Sequence, residues 1–398
     1  MRDVVIAGYL RTAQSRSRPR DPGRDWLHKM RGDELLAMLL PELLKRANVE
    51  PKEVDDFLVG SAMGVSENWT YGGRSPIFLA DFPETMPAKF VDQQCGSAMA
   101  ATHIAYMEIA TGNADIVMTG GIEHMTRVPM GGGGDAIKPN MKMFTDEKYK
   151  HWDFATAMNM GLTAEKLFKL SGKFTKEDMD EWAMRSHHRA AEAQEAGFFD
   201  GEILPIEAEQ ADGSTMSVKV DQAVRASTTM EALAGLKAAY VEDGVITAGV
   251  SSPLNAGATS LLLMAKETAE KRGLKPMGTI RAIGFAGVDP TIMGAGPVPA
   301  TKKALKMASM EVKDIDFWEI NEAFCIVTLN AMEELGIDPE KVNIHGGGVA
   351  IGHPLGATGN RLIGTLARIL EEQGARWGCA TACCGGGQGV TTIIEKED

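Results

Sequence analysis

The sequence predicts an α/β protein made of two similar halves, with a further segment inserted in the first. Three internal matches carry this reading. Leu44-Lys45-Arg46-Ala47 followed by Glu50 to Phe57 returns as Leu305-Lys306-Met307-Ala308 followed by Glu311 to Trp318. The second copy lies 261 residues on, with six identities and no gap. Cys95-Gly96-Ser97 opens a helical pattern leading to an apolar strand at Asp115–Thr119 and to Gly120-Gly121. His353 to Thr358 opens another, leading to Cys379–Ala382 and Gly385-Gly386-Gly387, at offsets of 258 and 265. The apolar strand pattern after Gly257 resembles the one after Gly389 at an offset of only 132, which places an insertion between the fourth and fifth strands of the first copy.

The expected domains are residues 1–123 completed by 248–276, an insert over 124–247, and 277–398. The insert holds a glycine run, Gly131 to Gly134, and then a helical stretch from Thr175 to Ala196. There Met179, Trp182, Ala183, Ser186 and Ala190 keep helical spacing with charges between them. Alternating strand and helix patterns in both halves predict sheets covered on both faces. A duplicated pair of such halves buries a site between them.

Bulk properties exclude several classes. The 398 residues, 44% apolar and 24% charged, are those of an ordinary globular protein. A net charge of −13 argues against nucleic acid and anionic membranes as partners, though not against an anionic small molecule met by a local cationic patch. The N-terminus lacks the apolar run of a signal peptide, and no stretch reaches transmembrane length. Five cysteines, three of them crowded near the C-terminus, do not form a disulfide framework; the expected compartment is the reduced cytoplasm.

Cys95 stands at a probable helix start between polar and small residues. Amide dipoles there favour a thiolate, so easy ionisation is expected. Equivalent loops in the two halves carry Cys95 and His353. A pseudo-twofold axis lets these loops face each other, bringing a thiol and an imidazole into the arrangement of an activated nucleophile. The strand before Gly385 delivers Cys383 to the same place. His353, between Gly352 and Pro354, is poor core material. Cys379, Cys383 and Cys384 do not have the spacing of a zinc site, so no metal is expected. The run Gly346–Gly352 lacks the spacing of a nucleotide loop and has no P-loop lysine; its glycines suit close backbone approach around His353. Most of the 24 methionines are core filling, but Met160 and Met293 stand beside glycines and are candidates for pocket lining.

Together these residues resemble the thiolase family over essentially the whole chain. Its signatures are Cys95-Gly96-Ser97, Asn321-Glu322-Ala323-Phe324, Gly352-His353-Pro354-Leu355-Gly356 and Cys383-Cys384-Gly385-Gly386-Gly387. Gly120 to Met125, Met160 to Glu165 and Gly294 to Pro297 agree. The resemblance implies a five-layer αβαβα core with an inserted loop domain covering coenzyme A. It implies a CoA-dependent acyltransferase that cleaves 3-ketoacyl-CoA or runs the reverse Claisen condensation. Cys95 becomes acylated, His353 takes its proton, and Cys383 exchanges a proton with the α-carbon of acetyl-CoA. One oxyanion hole is His353 with a water held by Asn321. The other is the backbone N–H of Cys95 and of Gly385. Arg225 aligns with the arginine at the adenine end of CoA and Ser252 with the serine near pantetheine; from the residues alone, Arg225 reads equally as a solvated charge. Acyl-CoA and CoA are substrates, no cofactor is tightly held, and a homodimer or homotetramer is expected.

Asn159 stands where biosynthetic acetoacetyl-CoA thiolases carry histidine. Met160–Glu165 and Arg185-Ser186-His187 are more similar to 3-ketoacyl-CoA thiolases of bacterial β-oxidation. Cys384 and Cys325 replace aliphatic or small residues, and neither is expected to be catalytic. Two rivals are another condensing enzyme, such as a hydroxymethylglutaryl-CoA synthase, and a non-catalytic acyl-CoA carrier or scaffold. Cys383 counts against the first. Intact Cys95, His353, Cys383 and Asn321 count against the second.

Overall fold

The computed structural model describes residues 1–131 and 136–397. Gly132 to Gly134 of the glycine run therefore lie outside the described residues. Along the main sheet run β1 (Val4–Arg11), β2 (Asp56–Gly60), β3 (Ala88–Val91), β4 (Ile116–His124), β5 (Asn255–Ala265), β6 (Gly278–Gly287), β7 (Phe317–Ile320), β8 (Trp377–Cys384) and β9 (Gln388–Glu395); the short strand Ser15–Arg16 also pairs with β5, and Ile206–Glu209 pairs with Thr215–Val218 in the insert. The helices that organise the site are α1 (Gly32–Arg46), α2 (Ser97–Ala110), α3 (Lys176–Glu195), α4 (Pro297–Ala308), α5 (Cys325–Leu335) and α6 (Thr358–Gln373).

The strands form one mixed sheet in the order β7-β8-β9-β6-β1-β5-β4-β2-β3. The β2/β3, β2/β4 and β7/β8 pairs are parallel. The first half contributes β1-β5-β4-β2-β3 and the second β6-β9-β8-β7, in matching order. Val342, bridged in parallel to Trp318 on β7, stands where β3 stands in the first half. Instead of two separate sheets there is one continuous sheet, because Val4–Ile6 pairs antiparallel with Gly278–Ile280.

Helices α2 and α6 fill the middle layer. Thr358 to Ala367 are all buried, as are Ser97 to His103. A helix buried all round belongs between sheets rather than on the outside. Their apolar side chains pack with Leu58, Val117 and Leu261 of one half and Ala380, Val390 and Ile394 of the other. Leu35, Leu36 and Leu39 of α1 cover one outer face. Ala304 of α4 and Ile326 of α5 cover the other. This is the five-layer arrangement. The polar residues of α6 are paired across the layers. Arg361 meets Glu319 of β7 in a fully buried ion pair, and the Asn360 amide donates to the Thr119 carbonyl at 3.3 Å.

The repeat is more regular than the sequence suggests. Helices α2 and α6 begin at Ser97 and Thr358, and β4 and β8 at Ile116 and Trp377, both 261 residues apart. This corrects the offsets of 258 and 265. The counterpart of Cys95 is Gly356, and His353 lies three residues ahead of it. Ala258 pairs with Ile122 and Gly389 with Cys383, which puts the third offset at 131 instead of 132. Small repeated glycines misled the matching, since one glycine-rich turn looks like another at a shifted register.

Within the insert, α3 is capped by Thr175 in a reciprocal box with Asp178, and among the described residues the buried apolar side chains of the insert join the cores of the two halves. Phe199 and Ile206 join the core of the first half; Met179 and Trp182 join that of the second. Arg11 on β1 is fully buried and pairs with Glu202 at 2.6 Å and Asp221 at 2.7 Å, both in the insert. Among the described residues, no helix is long and apolar enough to cross a membrane. Asp221→Ala strands the Arg11 charge beside one remaining carboxylate and is expected to cost about 3–5 kcal/mol, read as a lower urea midpoint.

Candidate active site

The loops that start α2 and α6 meet over β4. A Cβ added to Gly121 would lie 2.5 Å from the Gly356 carbonyl oxygen and 2.8 Å from the Ala98 Cβ. No larger residue fits between the loop that carries Cys95 and the loop that carries His353.

Cys95 sits on a tight turn, Gln94–Gly96, that runs into α2. Gln94 holds a left-handed φ of +51°, a conformation that costs a non-glycine residue about 1–2 kcal/mol. Hydrogen bonds hold it there. Gln94 N–H donates to Asp92 at 2.9 Å, and the Ser97 hydroxyl donates to the Gln94 carbonyl at 2.6 Å. The backbone amides of Gly385 and of Cys95 itself favour the thiolate. Yet burial dominates and pushes the thiol up to about 12. The expected easy ionisation is therefore corrected. A helix terminus contributes roughly 1 kcal/mol, whereas full desolvation moves a thiol by several pKa units.

The second half delivers the imidazole. Gly352 adopts φ +122°, open only to glycine, and a Cβ there would strike Asn255 at 2.6 Å. The His353 N–H donates to Asn255 Oδ1 at 2.9 Å. Thr358 Oγ1 donates to the Pro354 carbonyl at 3.0 Å, so it accepts from His353 Nδ1 at 2.6 Å. This chain places the ring proton on Nδ1. Nε2 then accepts from Asn321 Nδ2 at 3.2 Å. Burial, with Arg361 adding to it, lowers the imidazole to about 3, so it is neutral near pH 7. Asn321 Oδ1 is buried with no partner among the described residues. Cys95 and His353 are not hydrogen-bonded to each other.

Cys383 ends β8 and lies in the core cluster of the second half. Burial first, and then Cys95, raises its thiol well above the ordinary value. Cys384, one residue on, faces the middle layer. Cys325 opens α5 inside the core.

Two buried carboxylates anchor the loops. Glu123 accepts from the Ser61 hydroxyl at 3.1 Å, Ala62 N–H at 2.9 Å, Asn68 at 2.7 Å and Gly356 N–H at 3.0 Å. Burial raises it to about 7. Glu322 accepts from Trp182 Nε1 at 2.9 Å, the Ser186 hydroxyl at 2.7 Å, Asn343 at 2.8 Å and Val349 N–H at 3.1 Å. It ties α3 of the insert to the loop leading to His353.

A cavity of about 1030 Å³ opens over Val349, whose N–H donates to Glu322; Cys95, His353, Asn321 and Cys383 are not among its lining residues. Arg225 and Ser252 line it, as do Arg16, Arg18, Arg20, Arg24 and Tyr240. Ser252 N–H donates to the Ala323 carbonyl at 3.0 Å, and Tyr240 packs edge-on to Phe324 at 6.1 Å. These contacts join the cavity wall to the Asn321–Phe324 segment. Met160 and Met293 do not line it; they pack into the cluster that holds Cys383. Their place in the core comes from the packing of the Met160–Ser171 helix on residues 290–295.

The family models for the thiolase N-terminal domain and the thiolase C-terminal domain match residues 4–267 and 274–396. The chain belongs to the thiolase family. It is 42% identical to a 3-ketoacyl-CoA thiolase of Marinobacter nauticus, over 99% of this chain and 98% of the relative. It is 40% identical to a 3-ketoacyl-CoA thiolase of Aliivibrio fischeri over the whole of both. The crystal structure of the Bacillus anthracis acetyl-CoA acetyltransferase matches with a TM-score of 0.88 at 36% identity, covering 100% of this chain and 99% of that one. Human mitochondrial 3-ketoacyl-CoA thiolase in complex with CoA matches at 0.87 and 30% identity, covering 100% and 98%.

Sequence reasoning quoted Glu123 and Glu322 only as parts of motifs and gave neither a role. Asn255 and Thr358 were missed, because nothing in a sequence marks a side chain that orients a histidine from a distant strand. The arginines did leave a signal: Arg11, Arg16, Arg18, Arg20 and Arg24 crowd one stretch of an otherwise acidic chain.

A neutral thiol beside a neutral imidazole has a measurable consequence. Because burial raises Cys95, the thiolate fraction is small at pH 7 and grows with pH. Iodoacetamide labelling of Cys95, followed by peptide mass spectrometry, is expected to speed up about tenfold per pH unit between pH 7 and 10. A flat profile would reveal a preformed thiolate–imidazolium pair instead.

Proposed function

We propose that this chain catalyses thiolytic cleavage of 3-ketoacyl-CoA to acetyl-CoA and a shortened acyl-CoA, and the reverse condensation. The observation that carries the proposal is the meeting of the two helix-start loops at Gly121, which brings the loop of the buried Cys95 thiol against the loop of the buried His353 imidazole, itself held by Thr358 and Asn321.

The reaction balances on these residues. The Cys95 thiol gives its proton to His353 Nε2, which the Thr358 hydrogen bond leaves unprotonated and which the Asn321 amide releases as it turns to the incoming charge, and the sulfur attacks the 3-keto carbon. The oxyanion collapses, the C2–C3 bond breaks, and the acyl group stays on Cys95. The leaving carbon takes the Cys383 proton and departs as acetyl-CoA. A new CoA thiol loses its proton to the Cys383 thiolate and attacks the acyl carbon. Cys95 leaves and regains its proton from His353. Asn321 Oδ1, lacking a partner, is the acceptor available to a water at one oxyanion position. The Cys95 and Gly385 amides serve the other. A raised Cys383 thiol suits this cycle, since its thiolate is basic enough to take a proton from the CoA thiol in cleavage and from the α-carbon in condensation. Asn159 supports the degradative direction. It caps the Met160–Ser171 helix through Leu162 N–H at 3.3 Å and supplies no imidazole.

The relative crystallised with CoA supports placing CoA here, with Arg225 and Ser252 as contacts and no tightly held cofactor. Five unpaired cysteines are consistent with a reduced, cytoplasmic compartment. A homo-oligomer is part of the proposal. The edge strand β3 is paired on one side only, near exposed Phe78 and Leu79.

Cys95→Ala is expected to abolish the covalent acyl-enzyme formed from acetyl-CoA, read by intact-protein mass. Cys383→Ala is expected to acylate normally yet lose α-proton exchange of acetyl-CoA in deuterated water. Persistent exchange would remove Cys383 from the acid/base role. His353→Ala should lower kcat by about 10²–10⁴-fold. Rates across 3-ketoacyl-CoA substrates of increasing length assign the preferred chain.

A further inference from the structure

Arg16, Arg18, Arg20 and Arg24 come from one N-terminal segment and Arg225 from the insert, and all five line the same cavity. Asp21 is the one carboxylate among the lining residues. It meets Arg24 at 3.8 Å, both side chains being largely exposed. The side chains of Arg16, Arg18, Arg20 and Arg225 have no ion-pair partner among the described residues, and Arg18 Nε is buried without a hydrogen bond. Arg16 is half-buried and held down to about 10, by burial first and then by Arg225, Arg18 and Arg24. His187, which also faces the cavity, is lowered to about 4 by burial and then Arg225, so it adds no charge near pH 7.

Gathering like charges without carboxylates costs stability, and a protein of net charge −13 has acids to spare. The arrangement is one that a polyanion completes. Charge counting separates two forms of the coenzyme. A diphosphate bridge brings about two negative charges, and a phosphate monoester adds about 1.5–2. Five cations against one acid exceed what the diphosphate alone neutralises.

We propose that the Arg16–Arg24 segment, with Arg225, reads the 3′-phosphate of CoA as well as its diphosphate, so that this chain discriminates CoA from dephospho-CoA. The inference rests on CoA being the substrate of the site.

The test is calorimetric titration of the full chain with CoA, dephospho-CoA and pantetheine at low ionic strength, followed by thiolysis of acetoacetyl-CoA with each thiol. CoA is expected to bind at least tenfold more tightly than dephospho-CoA, with the gap narrowing as salt rises. The difference should appear in KM for the acceptor thiol rather than in kcat. Arg20→Gln/Arg24→Gln alters two exposed side chains, with folding checked by circular dichroism. It should cut the CoA to dephospho-CoA ratio at least threefold, and adding Arg16→Gln and Arg18→Gln should bring it close to one. Equal binding of the two coenzymes by the unaltered chain would overturn the proposal, as would a ratio unchanged in the fourfold variant. Thiolysis absent with every thiol would defeat the thiolysis reading instead, and the titrations would still decide phosphate recognition.

Discussion

Gly121 lies where the first turns of the two central helices meet, and the geometry of the site depends on that contact. With α2 and α6 driven together in the middle layer, the loop ahead of each is forced to the same place. The Cys95 thiol then arrives from one half and the His353 imidazole from the other. Neither half alone encloses a site. The continuous pairing of β1 with β6 fixes the angle between the halves, because backbone hydrogen bonds leave less play than side-chain packing across two separate sheets.

Burial then sets the protonation states. Cys95, Cys383 and His353 are all removed from water, and each is pushed toward its neutral form. The result is a resting site without charge. Such a site accepts an uncharged thioester or ketone carbonyl readily, and it holds dipoles rather than ions. The backbone amides of Cys95 and Gly385 favour negative charge at the sulfur, and fixed dipoles of this kind respond to charge without rearrangement. Resting thiolate at Cys95 is sacrificed; protection from solvent oxidants and strong response to a developing negative charge are obtained.

Much of this was legible in the chain. The repeat from Leu44 and Leu305 is an ungapped match through helix end, turn and strand start, and the structure places both copies in equivalent elements. The four motifs that resemble thiolases fall where the two halves meet. What failed did so for physical reasons. Ionisation of Cys95 was read from its local position at a helix start, but desolvation depends on what the other half lays over it. The surroundings of Met160 and Met293 are equally invisible along the chain: Met293 is buried in the cluster that holds Cys383, and half-buried Met160 packs against that cluster. Glu123 and Glu322 carry ordinary carboxylates in ordinary places along the chain; their task is visible only when four donors from separate segments close around each.

The corrected register also accounts for Cys384. With 261 residues between the copies, Glu123 and Cys384 are counterparts, at the ends of β4 and β8. Each reaches across to the helix-start loop of the opposite half. Glu123 accepts the Gly356 N–H at 3.0 Å, and the Cys384 sulfur packs against Gly96, where an added Cβ would come within 2.6 Å of it. A carboxylate and a thiol thus do the same job on opposite sides of the pseudo-twofold axis. The unequal choice follows from the surroundings. The Glu123 side has four donors to satisfy a charged or shared-proton carboxylate. The Cys384 side lies among Val390 and Leu362 in the apolar middle layer, where a carboxylate would lack partners and a sulfur packs at little cost. A second carboxylate placed there, next to Cys95 and Cys383, would also oppose every negative charge the reaction develops. The symmetry of the fold is therefore broken at this pair, on the side nearest the reacting sulfurs.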